Sequence, residues 1–170
     1  MEILPARCTI LMKKMLKYAG TFGLASILCG VVFVDRGNKS QTKEALEQTV
    51  KIIKKRNAKI WIFPEGTRKY NTECSDPMLP FKKGAFNLAV QAQVPIVPVV
   101  FSSQSKFFSY EQKRFTQGEF TVTVMPHVNT IGLTLEDVPT LADKTRQSMI
   151  DVYEDTSRDT DAINRNDHRT

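Results

Sequence analysis

Two short stretches bring together the residue types that can hold a phosphate. The first is Phe63-Pro64-Glu65-Gly66-Thr67-Arg68, directly after the apolar run Ile60-Trp61-Ile62. A β-branched and aromatic run ending in Pro, acid, Gly, hydroxyl and base reads as a strand that delivers a tight polar loop. Such a loop can aim backbone N–H groups, a hydroxyl and a guanidinium at one anion. Gly66 lets the backbone come close because no Cβ intervenes, and Glu65 can orient an arginine or accept a hydroxyl. The second stretch, Asp35-Arg36-Gly37-Asn38, is a turn-rich tetrad after the run Val31–Val34. Arg36 and Arg68 are 32 residues apart, yet each stands just past a predicted strand. Two guanidiniums on neighbouring strand ends can share one phosphate, each contributing about 1.5–3 kcal/mol. Taken alone, the sextet also fits a surface turn with an Arg–Glu pair.

These loops need a sheet behind them. Cys8 to Met12 is predicted as a first strand and Lys13 to Cys29 as a first helix. Val31 to Val34 is the second strand. Ser40 has the look of an N-cap for a helix over Gln41 to Arg56, where Ala45, Leu46, Thr49, Val50, Ile52 and Ile53 recur at helical spacing and Asn57 stops it. Lys59 to Phe63 is the third strand. Phe81 to Gln91 reads as a helix, and Pro95 to Phe101 as a β-rich run in which Pro98 marks a bulge or an early end of pairing. Ser102 to Gly118 reads as loop, and Glu119 to Met125 as a half-exposed strand. Asp137-Val138-Pro139 opens a last helix with Leu141, Thr145, Met149, Val152 and Tyr153 on its buried side. Asp155 to Thr170 is polar and expected to fray. This alternation predicts one α/β domain over residues 1–157, with a mainly parallel sheet flanked by helices, and a disordered polar tail over 158–170. In such sheets ligands sit beyond the carboxyl ends of the strands, where both arginine turns fall.

Charge narrows the partners. Residues 1–70 hold 14 basic and 5 acidic side chains, a net of +9, whereas residues 127–170 hold 5 and 9, a net of −4. A basic front half fits a phosphorylated ligand, an anionic membrane surface or nucleic acid. Nucleic acid rests only on Lys54-Lys55-Arg56, which reads more simply as a solvated helix end. No glycine-rich nucleotide loop ending in Gly-Lys-Ser/Thr is present. Cys8, Cys29 and Cys74 are far apart without metal-ligand spacing, and read as reduced thiols, two of them in the core. Tyr18 to Val34 is an uncharged run of 17 residues, read as a buried helix followed by a buried strand rather than a membrane span.

Three blocks, in order, resemble the glycerolipid acyltransferases, specifically the 1-acylglycerol-3-phosphate (lysophosphatidic acid) acyltransferases. Phe63 to Arg68 looks like their third block, Gly30 to Arg36 their second, and Val94-Pro95-Ile96-Val97-Pro98-Val99 their fourth. Leu79-Pro80-Phe81-Lys82-Lys83-Gly84-Ala85-Phe86 is also in family style. The resemblance runs from about Met1 to Ser157. It implies transfer of a fatty acyl group from acyl-CoA to 1-acyl-sn-glycerol 3-phosphate, giving phosphatidic acid, with acyl-CoA as co-substrate and no other cofactor or metal. It further implies that Arg36, Glu65, Gly66, Thr67 and Arg68 hold the glycerol phosphate, that Lys13 lies near that phosphate, and that Pro98 shapes the site wall or acyl groove. Membrane association at the endoplasmic reticulum is implied as well. The family's first block, Asn-His, four variable residues and Asp, supplies the general base and the residue that orients it. Neither His127 nor His168 is followed five positions on by aspartate. The chain is therefore expected to be truncated at its N-terminus and to be catalytically impaired, or else to serve as a lysophosphatidate- or CoA-binding isoform or regulator. His127, after Met125-Pro126, reads as a solvent-facing strand end. Glu65 is not expected to replace the missing base.

Overall fold

A computed structural model of the chain describes residues 6–34, 47, 49–55, 57–67 and 77–166. Three apolar runs pair as a parallel sheet: β1 (Cys8–Lys13), β2 (Val32–Val34) and β3 (Lys59–Trp61), in the order β2-β1-β3. Leu11 to Lys13 lie opposite Val32 to Val34, and Cys8 to Ile10 lie opposite Lys59 to Trp61. Parallel strands need crossovers. Residues 49–55, which are helical, belong to the connection between β2 and β3, and Asn57 closes that helix in the left-handed region at φ 46°. Ile53 is buried with Leu88 and Ala92 against Leu11, Ile60 and Ile62. The α/β architecture is thus as the sequence implies. Residue 47 is helical too, and residues 41–46, 48 and 56 of the predicted helix over Gln41 to Arg56 lie outside the described residues.

The second half of the chain is antiparallel. β4 (Val99–Phe101) pairs with β7 (Val122–Val124), preceded by a single bridge between Ile96 and Val128. Pro98 has no N–H to give, so pairing lapses around it. Its carbonyl still accepts the Met125 N–H at 3.0 Å. A small hairpin of β5 (Phe108–Ser109) and β6 (Arg114–Phe115) occupies the stretch predicted as loop.

Two helices close the core. α2 (Gly84–Ala92) buries Phe86 and Val90 against Val138, Leu141 and Ala142 of α3 (Val138–Asn166). Farther along α3, Met149 and Ile150 pack on Met78 and Val100. Full burial of a Val or Phe side chain is worth about 1.5–3 kcal/mol, so these clusters join α3 firmly to both α2 and β4.

Three sequence expectations need correction. The first helix does not begin at Lys13: β1 runs through Lys13, a 3-10 turn follows over Lys14–Tyr18, and α1 spans Gly20–Leu28. Gly20, at φ 53°, makes the break. Nor is α1 a buried helix. It packs through Gly23 onto the preceding turn and buries Ser26, leaving Phe22, Leu24 and Leu28 outward, and Cys29 is exposed too. Finally, the tail predicted as disordered from 158 is helical as far as Asn166. Its anchor is Thr160, only 1% exposed. The Thr160 hydroxyl donates to the Thr156 carbonyl (2.7 Å) and stands 2.9 Å from Thr121 Oγ1 and 3.1 Å from Ser102 Oγ. A polar sequence hid a satisfied buried network.

Candidate functional site

All three parallel strands deliver their carboxyl ends to one edge of the sheet. Lys13 ends β1 opposite Val34, the residue before Asp35-Arg36. β3 leads into Pro64–Thr67 at the same edge. β1 lies between β2 and β3, so the carboxyl ends of β2 and β3 flank it instead of adjoining each other. Two strand spacings separate them, about 9–10 Å. Lys13 occupies the strand end in the middle. The expectation of neighbouring strand ends is corrected to this: a three-point arrangement with a lysine-bearing strand at its centre. Arg36 and Arg68 themselves lie outside the described residues.

The turn after β3 is built in detail. The Gly66 N–H donates to the Phe63 carbonyl at 3.1 Å, and Gly66 adopts φ 67°, where a side chain is disfavoured. Pro64 and Glu65 are half-buried, whereas Gly66 and Thr67 are exposed. The Glu65 carboxylate accepts the Leu79 N–H at 2.9 Å, and the Pro64 carbonyl accepts the Lys82 N–H at 2.8 Å. The turn is therefore strapped on both sides to residues 79–82. That segment is held in turn by α3: Arg146 donates to the carbonyls of Leu79 (Nε, 3.2 Å) and Met78 (2.5 Å).

Sequence reasoning gave Glu65 an arginine or a substrate hydroxyl as partner; one of its oxygens is committed to a backbone amide. It assigned no role to Lys82, although Phe81-Lys82-Lys83-Gly84 had been noted as a block. The Lys82 side chain lies over Gly66: a Cβ on that glycine would come 2.8 Å from Lys82 Cδ and 2.9 Å from Nζ. Arg146 was missed because nothing in a helix sequence signals a partner 67 residues away.

Pro98 is buried in the β4–β7 ladder. His127 is exposed beyond the end of β7, and His168 lies outside the described residues. A cavity of about 260 Å³, lined by Ile27, Val31, Phe33 and Ile52 with Lys17, sits at the amino end of β2, away from the polar turns.

Strand ends that deliver a glycine turn with a lysine draped over it are suited to an anionic headgroup, and the comparisons with known proteins agree with such a fold. A family model described as Acyltransferase matches residues 1–102, and the chain belongs to that family. It is 46% identical over 159 residues to the human 1-acyl-sn-glycerol-3-phosphate acyltransferase alpha, covering 94% of this chain and 55% of that protein. The Saccharomyces cerevisiae 1-acyl-sn-glycerol-3-phosphate acyltransferase is 39% identical over 154 residues, 91% of this chain and 50% of that one. The chain thus spans about half the length of the curated relatives it matches. The crystal structure of the 1-acyl-sn-glycerophosphate (LPA) acyltransferase PlsC from Thermotoga maritima superimposes with a TM-score of 0.55 at 22% identity, covering 85% of this chain and 57% of that one. That likeness establishes the fold.

Proposed function

We propose that this chain carries the headgroup-recognition half of a lysophosphatidate acyltransferase, which transfers an acyl group from acyl-CoA to 1-acyl-sn-glycerol 3-phosphate and yields phosphatidic acid. The observation that supports this most is the identity to proteins named for that activity across a stretch containing the whole Phe63–Arg68 sextet. Arg36, Arg68 and Lys13, with the Glu65-Gly66-Thr67 turn, hold the phosphate. Pro98, on the evidence of motif order alone, contributes to the acyl-groove wall. The reaction forms a C–O bond from the acceptor hydroxyl and breaks the thioester C–S bond, and the hydroxyl proton ends on the CoA thiol. A base is needed for that proton. Neither histidine of this chain has the partner aspartate of the family block. A positioned base supplies about 10²–10⁴-fold, so the 170-residue chain turns over slowly by itself.

A second reading is a lysophosphatidate- or CoA-binding chain that regulates an active relative. Radiolabelled acyl transfer to lysophosphatidate separates the two. Slow formation of phosphatidate, at least about tenfold below a full-length relative, supports the impaired-enzyme reading. No product, with lysophosphatidate binding retained, supports the regulator. Equal acylation of lysophosphatidylcholine overturns the acceptor assignment.

Membrane contact belongs to the same proposal, with the endoplasmic reticulum as the compartment the family implies. Among the described residues no helix is long and apolar enough to cross a membrane. The segment from Lys14 to Leu28 instead presents Met15, Tyr18, Phe22, Leu24 and Leu28 to solvent, all more than half exposed, beside Lys14 and Lys17. Apolar side chains flanked by lysines suit docking on an anionic bilayer, where each surface lysine adds about 1 kcal/mol. Flotation with anionic vesicles that fails to decline as salt rises counts against it.

A further inference from the structure

We propose that Lys82 is a phosphate ligand, and that the glycine at position 66 exists to let its ammonium lie over the turn. The inference rests on the headgroup reading above and adds a residue which that reading does not contain. The Lys82 N–H donates to the Pro64 carbonyl at 2.8 Å, so the backbone of residue 82 is pinned beside the turn. From there the side chain runs across the exposed face of Gly66, with Cδ, Cε and Nζ all within 3.0 Å of where a Cβ would stand. A side chain at 66 would compete with Lys82 for that space. Gly66 thus serves twice: it accepts φ 67°, and it leaves room for a cation.

The charge arrangement fits a ligand better than an internal ion pair. Glu65, the acid beside Gly66, directs an oxygen to the Leu79 amide. Among the described residues no ion pair holds the Lys82 ammonium, and the residue is exposed. The backbone of Lys82 is therefore held beside the turn that follows β3, at the same sheet edge as the carboxyl end of β1, and the ammonium reaches over Gly66 from there. An ammonium is a compact point charge with three donors, suited to a phosphate oxygen. The ligand chemistry is a phosphate monoester, which both the lysophospholipid headgroup and the ribose phosphate of CoA offer.

The test is an NMR titration of the isotopically labelled 170-residue chain. The probes are short-chain lysophosphatidate below its micelle concentration and, separately, CoA. The parent chain is compared with K82Q, which keeps the stem over Gly66, and K82R, which keeps the charge; matched unfolding midpoints establish that the variants are folded. For an exposed charge-assisted bond the expected loss in K82Q is about 5- to 20-fold in affinity, with K82R within about threefold of the parent. Loss toward lysophosphatidate alone assigns Lys82 to the lipid headgroup, and loss toward CoA alone assigns it to the acyl donor. Parent-like affinity of K82Q for both probes overturns the role of Lys82 and leaves the headgroup reading standing. Failure of the parent chain to bind either probe overturns both.

Discussion

Glu65 and Arg146 hold opposite sides of one residue: the Glu65 carboxylate accepts the Leu79 N–H at 2.9 Å, and Arg146 Nε donates to the Leu79 carbonyl at 3.2 Å. The polar turn at the end of β3 is thereby fixed to α3 through a single peptide segment. Substituting Glu65 by Ala leaves a half-buried amide without its charged acceptor and is expected to cost about 1–3 kcal/mol of stability, whereas E65Q, which keeps an acceptor, costs less. The E65A/R146M double-mutant cycle in urea denaturation is expected to show coupling of about 0.5–2 kcal/mol. Strict additivity would show that Leu79 does not link them.

Gly66→Ala tests the turn itself. At φ 67° an alanine costs about 1–2 kcal/mol, and its methyl group displaces the flexible Lys82 stem. Lysophosphatidate affinity is expected to fall further than stability alone explains, because the cation moves while the chain stays folded. Unchanged affinity in a folded G66A chain would contradict the close approach.

Deleting residues 158–170 tests the length of α3. The buried Thr160 hydroxyl and its contacts with Ser102 and Thr121 are lost, with an expected cost of about 1–3 kcal/mol. T160V, which keeps the shape but not the hydroxyl, is expected to recover part of it. A deletion without effect on the urea midpoint would mean that residues beyond 157 contribute nothing to the fold.

Much of this was legible in the residues, and the exceptions have physical causes. Period-2 and period-3.6 patterns located the three parallel strands and the helix over Phe81 to Gln91, and Asn57 was readable as a helix stop because it tolerates a left-handed backbone. The exposure of α1 was not legible, since an uncharged run looks the same whether it is covered by protein or faces outward. Thr160 was hidden in a polar tail because hydroxyls enter a core only in hydrogen-bonded groups that sequence does not display. At the site, the turn was predicted from composition, but its strapping to Leu79 and Lys82 depends on contacts that only the folded chain creates. Strand order likewise required the sheet: nothing local places β1 between β2 and β3.

Acid sensitivity has one identifiable source at the start of α3. The Asp137 carboxyl is held below the usual carboxylate range by the Thr134 backbone N–H and, secondarily, by the Thr134 hydroxyl. The folded chain therefore binds this proton less readily than the unfolded chain, so the contribution is present above the ordinary aspartate pKa and fades as pH falls below about 4. D137N is expected to flatten that part of the stability–pH curve. An unaltered slope below pH 4 would remove Asp137 as the cause.

The central claim is that the strand-end turns recognise a phosphate monoester headgroup, and the most direct measurement is paired binding of lysophosphatidate and lysophosphatidylcholine of the same acyl chain. Discrimination of at least about tenfold in favour of lysophosphatidate is expected, the equivalent of roughly 1.4 kcal/mol. It should diminish in R36A, R68A and K82Q and persist in E136Q, which lies in the loop before α3. Equal affinity for the two lipids, or discrimination untouched by all three cation substitutions, would contradict the account.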